Sequence, residues 1–256
     1  MTTTTSAGER TGTRGLAWAV LAAAVLEVVA PLVTINGPGA SPGGGSGGED
    51  LLITPVGWAF SIWGVIYTLA IAQAAAVLVT GGRSTSRRLQ VDLLVLYLAG
   101  ATWIVVAAFE SGVATAVVLL VMLVAAVDAV LTFTREHVTP RWLSVLTGVA
   151  VGLYGGWVTA AFFLNLASAL VEVGPVREDE LGWQLVALVA AALTLLAVLV
   201  RARGLPAYAA AGAWAMLGIT VTANGNGTTE VVVVALAAIA VLAAATVALT
   251  LHHRRA

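Results

Sequence analysis

Eight apolar stretches, each about as long as a bilayer is thick, follow one another along this chain with short polar segments between them. They run over 15–35, 55–80, 91–109, 112–134, 142–171, 182–200, 206–222 and 231–251. A hydrocarbon core of about 30 Å needs about 20 such residues in a helix. The runs are continuous rather than alternating with period two, so they read as helices and not as barrel strands. Only 10% of the 256 residues are charged and 60% are apolar, against roughly 25% charged in an ordinary soluble domain. The chain is therefore expected to be an all-α integral membrane protein with eight transmembrane helices.

Charge placement tests that count independently. Every basic residue is arginine, and Arg10, Arg14, Arg83, Arg87, Arg88, Arg135, Arg141, Arg201, Arg203, Arg254 and Arg255 all fall on alternate segments. The segments between those carry Glu49, Asp50, Glu110, Glu178, Asp179, Glu180 and Glu230, with Arg177 as the sole exception. This is the positive-inside pattern, and it puts both termini in the cytoplasm of a cell whose plasma membrane holds the protein; a bacterial membrane is expected. Residues 1–14 read as a disordered cytoplasmic N-terminus and 252–256 as a basic tail at the membrane surface. A cleaved signal peptide is the alternative for the first apolar run. That run is longer than a typical h-region and contains Glu27 and Pro31, which favours a retained helix.

Several functional classes drop out. A net charge of -1 leaves no basic face for nucleic acid. With no cysteine there are no disulfides or thiolate sites, and with only His137, His252 and His253 there is no metal cluster at ligand spacing. No serine is paired with an intramembrane histidine, no two carboxylates share a helix face, and the glycine-rich stretch has no lysine and follows no strand. No catalytic residue, metal or required cofactor is assigned, and enzymatic activity is not expected.

The eight tryptophans divide by depth. Trp18, Trp142 and Trp183 lie near span starts, where an interfacial belt explains them; Trp58 is borderline. Trp63 and Tyr67 lie on the order of 12 and 18 Å into the second span at 1.5 Å per residue, and Trp103 about 9 Å from the outer end of the third. Phe60, Trp63 and Tyr67 follow i, i+3, i+7, and Tyr154, Trp157, Ala161 and Asn165 extend the same spacing to i+11. Each set forms one helix stripe. Such stripes serve helix packing, or line an aromatic pocket for a flat apolar ligand with Asn165 as a polar handle.

At these residues the chain resembles the TspO and translocator-protein family, also known as tryptophan-rich sensory proteins or the peripheral benzodiazepine receptor. Tyr154-Gly-Gly-Trp157-Val-Thr-Ala-Ala161-Phe-Phe-Leu164-Asn165 is similar to that family's fifth-helix pattern P-Y-x-x-W-x-x-x-A-x-x-L-N. Pro55-Val-Gly-Trp58-Ala-Phe60-Ser-Ile-Trp63-Gly-Val-Ile-Tyr67 resembles its second-helix signature, with one residue fewer between Phe and Trp. Trp103 falls where the third helix carries its tryptophan. The resemblance covers roughly 15–171. It implies a five-helix bundle there, with residues 37–54 as an extracytoplasmic glycine-rich loop closing the pocket and 182–251 as a three-helix C-terminal extension. It also implies a ligand-binding or sensory role, with Trp58, Phe60, Trp63, Tyr67, Trp103, Tyr154, Trp157, Ala161 and Asn165 around a porphyrin, a haem-like tetrapyrrole or a similar apolar molecule. The chain departs from the family in lacking the W-Y-x-x-L-x-K-P loop and any sterol motif. Gly100 stands where the family has asparagine, and Leu153 where it has proline.

Two ionisable residues lie within spans, Glu27 in the first and Asp128 in the fourth. Each costs roughly 2.5–3.5 kcal/mol on insertion scales and should face the bundle or reach an interface. Glu27 has no in-span base near it and is expected to rest as a hydrogen-bonding acid. A proton-coupled secondary transporter using Glu27 or Asp128 is the second functional option, and a ligand-free scaffolding protein the third. The partners expected are the lipid bilayer and a small apolar ligand, with a homodimer as a further option.

Overall fold

The structure, a computed structural model, describes residues 12–34, 51–109 and 111–255. It is all-helical over them: α1 (Arg14–Thr34), α2 (Ile62–Val79), α3 (Arg87–Ala107), α4 (Gly112–Phe133), α5 (Arg141–Glu172), α6 (Leu181–Arg201), α7 (Pro206–Gly225) and α8 (Thr229–Arg255), with a 3₁₀ turn over Gly57–Ser61 leading into α2. The protein is a multi-pass helical membrane protein. The closing-loop expectation for 37–54 falls outside the described residues except for 51–54, where Leu51 and Ile53 are buried. The N-terminal expectation falls outside them over 1–11. The last helix continues through Arg255, so the tail arginines extend α8.

Local chemistry sets several of the boundaries. Ser86 caps α3 by accepting from the Leu89 amide at 3.0 Å, and Ser111 caps α4 by accepting from Ala114 at 3.3 Å. Each hydroxyl satisfies one of the orphan amides that a helix start leaves. Pro206 opens α7 at a first-turn position, where its missing N–H costs nothing.

Seven of the eight helices are long and apolar enough to cross a membrane; α7 is the exception. Its position explains this. Tyr208, Ala211, Gly212, Ala215, Met216 and Ala223 are buried, while Leu217 and Val221 stay exposed on the remaining face. A helix face packed on other helices needs small residues for close approach more than it needs grease.

Helices α1 to α5 close into a ring: α1 packs on α2 and α3, α3 on α4, α4 on α5, and α5 back on α2. Of the other three, α6 and α7 lie against α5. Helix α7 packs between α5 and α8, and α6 touches α5 and α8. The α5–α7 contact rests on glycines of α5. A Cβ at position 152 would stand 2.7 Å from the Ala207 Cβ, and one at 156 would collide with the Tyr208 carbonyl and lie 2.9 Å from the Ala211 Cβ. The two backbones approach as closely as they do because those side chains are absent. A hydrogen bond between Thr159 Oγ1 and Tyr208 Oη, 2.9 Å, seals the contact.

Helix α7 also holds the entry to α2. The Trp214 indole donates to the Ala59 carbonyl at 2.8 Å, and the Val56 amide donates to the Gly218 carbonyl at 3.1 Å. The 3₁₀ turn that carries Phe60 is therefore anchored to the C-terminal half of the chain.

Candidate functional site

Trp63 is the centre of an aromatic cluster. It stacks on Tyr67 and Trp103, with ring centroids 5.2 and 6.1 Å away, and meets Tyr154 and Trp157 edge to face at 5.8 and 6.1 Å. Phe60 adds an edge contact with Trp157 at 5.7 Å. Edge-to-face and offset pairs at these separations are the favoured aromatic geometries. The helical stripes on α2 and α5 thus face each other, with Trp103 of α3 beside them.

One layer of this cluster borders a cavity. Phe60, Trp63, Trp103, Trp157, Ala161 and Asn165 all line it. Its volume is about 40 Å³, and it opens toward the bundle surface. Asn165 is tied on both sides, accepting from the Trp103 indole at 3.4 Å and donating to the Ala161 carbonyl at 3.0 Å. Trp157 is almost fully buried, and its Nε1–H has no hydrogen-bond acceptor.

The remaining expected residues stand apart from the cavity. Trp58 is 45% exposed and packs edge-on against Trp214, centroids 5.0 Å apart, rather than entering the cavity. Tyr67 and Tyr154 form a layer behind Trp63. Glu27 of α1 lies in that back layer, fully buried, with the Tyr154 hydroxyl donating to its Oε1 while Oε2 has no hydrogen-bond partner. Tyr97 of α3 completes the surroundings, 5.7 Å from the Tyr154 ring.

Asp128 is in neither layer. Near the arginine-flanked end of α4 it forms a two-bond ion pair with Arg88, whose Nε and Nη2 donate to Oδ2 and Oδ1 at 2.9 and 2.5 Å. The pair answers the electrostatic cost of a carboxylate in that span. It lies in a groove between α3 and α4, together with Asp92.

What sequence reasoning missed is the opposite wall. Ala187, Leu188 and Ala191 of α6 and Ala215, Met216 and Ile219 of α7 line the same cavity. These are ordinary span residues in the one-dimensional sequence. The available signals were the glycines flanking Trp157, which mark a helix surface approached closely by another helix, and the unusually small, less apolar composition of the seventh span.

A family model described as TSPO-like protein matches residues 15–248. The match runs beyond residue 171, through α6 and α7 and into α8, helices to which the sequence motifs assigned no relationship. No curated protein and no solved structure matches the chain.

Proposed function

The chain belongs to the TSPO-like protein family, and on that premise we propose that it is a ligand-binding, sensory membrane protein whose aromatic pocket takes a porphyrin or haem-like tetrapyrrole, or a similar apolar molecule. It works in the plasma membrane of a bacterium with both termini in the cytoplasm. The observation that carries this reading is the convergence of Trp63, Trp103 and Trp157 from three helices on one cavity. Indole faces offer a flat apolar ligand large contact area at small entropic cost, and Asn165 and the free Trp157 N–H are polar handles for its orientation.

Protoporphyrin IX added to the protein in detergent should quench tryptophan fluorescence saturably. Trp157→Ala and Trp63→Ala should each weaken binding about tenfold, the equivalent of 1.4 kcal/mol. Quenching that fails to saturate, or that is unchanged in both folded variants, ends this reading.

A second reading, proton-coupled transport, is favoured by one observation, the complete burial of Glu27 with an unpartnered Oε2. Intramembrane carboxyls of that kind mark proton paths in transporters. Proton-driven uptake in proteoliposomes that disappears in Glu27→Gln is its expected signature, and absence of flux under every imposed gradient removes it.

A further inference from the structure

We infer that the ligand is bound between the two halves of the chain, with α6 and α7 setting its size, and that it is a flat apolar molecule bearing a hydrogen-bond acceptor for the Trp157 N–H. The inference rests on the aromatic-pocket reading and makes it specific. Three independent observations lead to it.

The first is the composition of the far wall. Opposite the aromatic residues stand Ala187, Ala191 and Ala215, with Met216 beside them. Every alanine there is a place where a larger side chain would fill the recess, so the room available to a ligand is decided by α6 and α7 and not by the aromatic motifs. Met216, unbranched and polarizable, adapts its shape to an aromatic guest and favours contact with a ring.

The second is the state of Trp157. Its indole borders the cavity, is 2% exposed, and its N–H has no acceptor. A buried donor left unpaired costs about 1–3 kcal/mol, which a ligand acceptor recovers on binding. Trp103, beside it on this wall, donates to Asn165. The buried Trp157 N–H on a mostly apolar wall matches an acceptor on a mostly apolar molecule.

The third is where the cavity opens. Phe163 and Leu164 of α5 line the cavity and are only half-buried, so its rim reaches the surface of the bundle within the spanning part of α5. A molecule dissolved in the bilayer meets the recess there.

The test uses 9-fluorenone, a flat neutral aryl ketone, and fluorene, the same framework without the carbonyl, on the full-length protein in nanodiscs. Saturable tryptophan quenching by fluorenone is expected, weakened at least about tenfold in Ala191→Leu and in Ala215→Leu. Trp157→Phe should weaken fluorenone about tenfold and leave fluorene, measured by competition, within about twofold. Fluorenone binding unchanged in both alanine variants overturns the α6–α7 assignment. Equal losses of fluorenone and fluorene in Trp157→Phe, or no loss of either, overturn the acceptor. No saturable fluorenone binding to the wild-type protein overturns the ligand class.

Should either leucine variant fail to fold, the wild-type protein decides. Irradiated with benzophenone and mapped by mass spectrometry, it should carry adducts on the α7 segment containing Met216 that excess fluorenone suppresses. Adducts confined to α1–α5 overturn the inference. That outcome leaves the proposed function standing so long as protoporphyrin quenching still depends on Trp63 and Trp157, so the two failures are distinguishable.

Discussion

Gly100 of α3 leaves the space that the Glu27 carboxyl of α1 occupies. A Cβ at position 100 would overlap Oε1 of Glu27 and stand 2.7 Å from the Tyr154 hydroxyl.

That pairing makes the two positions thermodynamically coupled. Gly100→Asn is expected to destabilise the protein by about 1–3 kcal/mol through overpacking. The same change in a Glu27→Ala background should cost less, because the space is then vacant. Thermal unfolding in detergent across the double-mutant cycle reads the coupling, and additive effects would show that the two residues do not share the space.

Gly156 sets the distance between α5 and α7. Gly156→Leu should destabilise by about 3 kcal/mol or more, since the side chain meets backbone of the facing helix and not a flexible tip. Gly64 in α2 provides the contrast, because nothing stands within 4 Å of a Cβ there. Gly64→Ala should be neutral or stabilising by about 0.5–1 kcal/mol from helix propensity alone. Chemical unfolding of both variants tests the difference.

Trp214 reaches from α7 to the backbone that carries Phe60. Trp214→Phe keeps a ring beside Trp58 but removes the donor to the Ala59 carbonyl, at a cost of about 1 kcal/mol. Protoporphyrin affinity should fall in this variant although position 214 does not line the cavity, because Phe60 loses its anchor. Unchanged affinity would show that the 3₁₀ turn holds its place without α7.

Between α5 and α6, the Arg177 guanidinium donates from Nε and Nη2 to Asp179, both at 3.0 Å, and holds that carboxyl below the ordinary aspartate range. Its folded-state pKa is depressed, so the pair's contribution is present above the unfolded value of about 3.9 and is lost as pH falls through the lower folded value. Both side chains are fully exposed, and the melting temperature should barely register the loss. Carbon-13 titration of Asp179 should show the low midpoint, and Arg177→Gln should return it to near 3.9; an unmoved midpoint would mean the guanidinium is not its cause.

The helices were legible because lipid enforces them: each spanning run must satisfy its own backbone, so length and hydrophobicity alone locate it. The aromatic face of the site was legible because Trp63, Trp103 and Trp157 are conspicuous at depth and fall on helical spacing. The alanines opposite them were not, because Ala187 and Ala215 differ from dozens of other span alanines only in what they face. Glu27 was visible as an anomaly, but its pairing with Tyr154 across 127 positions follows from how α1 lies in the ring, which periodicity does not specify. Likewise the exposure of Trp58 depends on the 3₁₀ turn, which rotates the entry to α2 away from a continuous helical stripe.

Helix α7 touches the cavity, the glycine face of α5 and the turn before α2, and it ends at Gly225. A ribosome delivers the chain N-terminus first, so five helices enter the bilayer before the sixth and seventh arrive. Until then the Trp157 side of α5 and the entry to α2 face lipid or the insertion machinery. The site is thus a late product of biogenesis, and a ribosome that stalls after the fifth helix leaves a membrane protein with Trp63, Trp103 and Trp157 in place and the α6–α7 wall of the pocket missing.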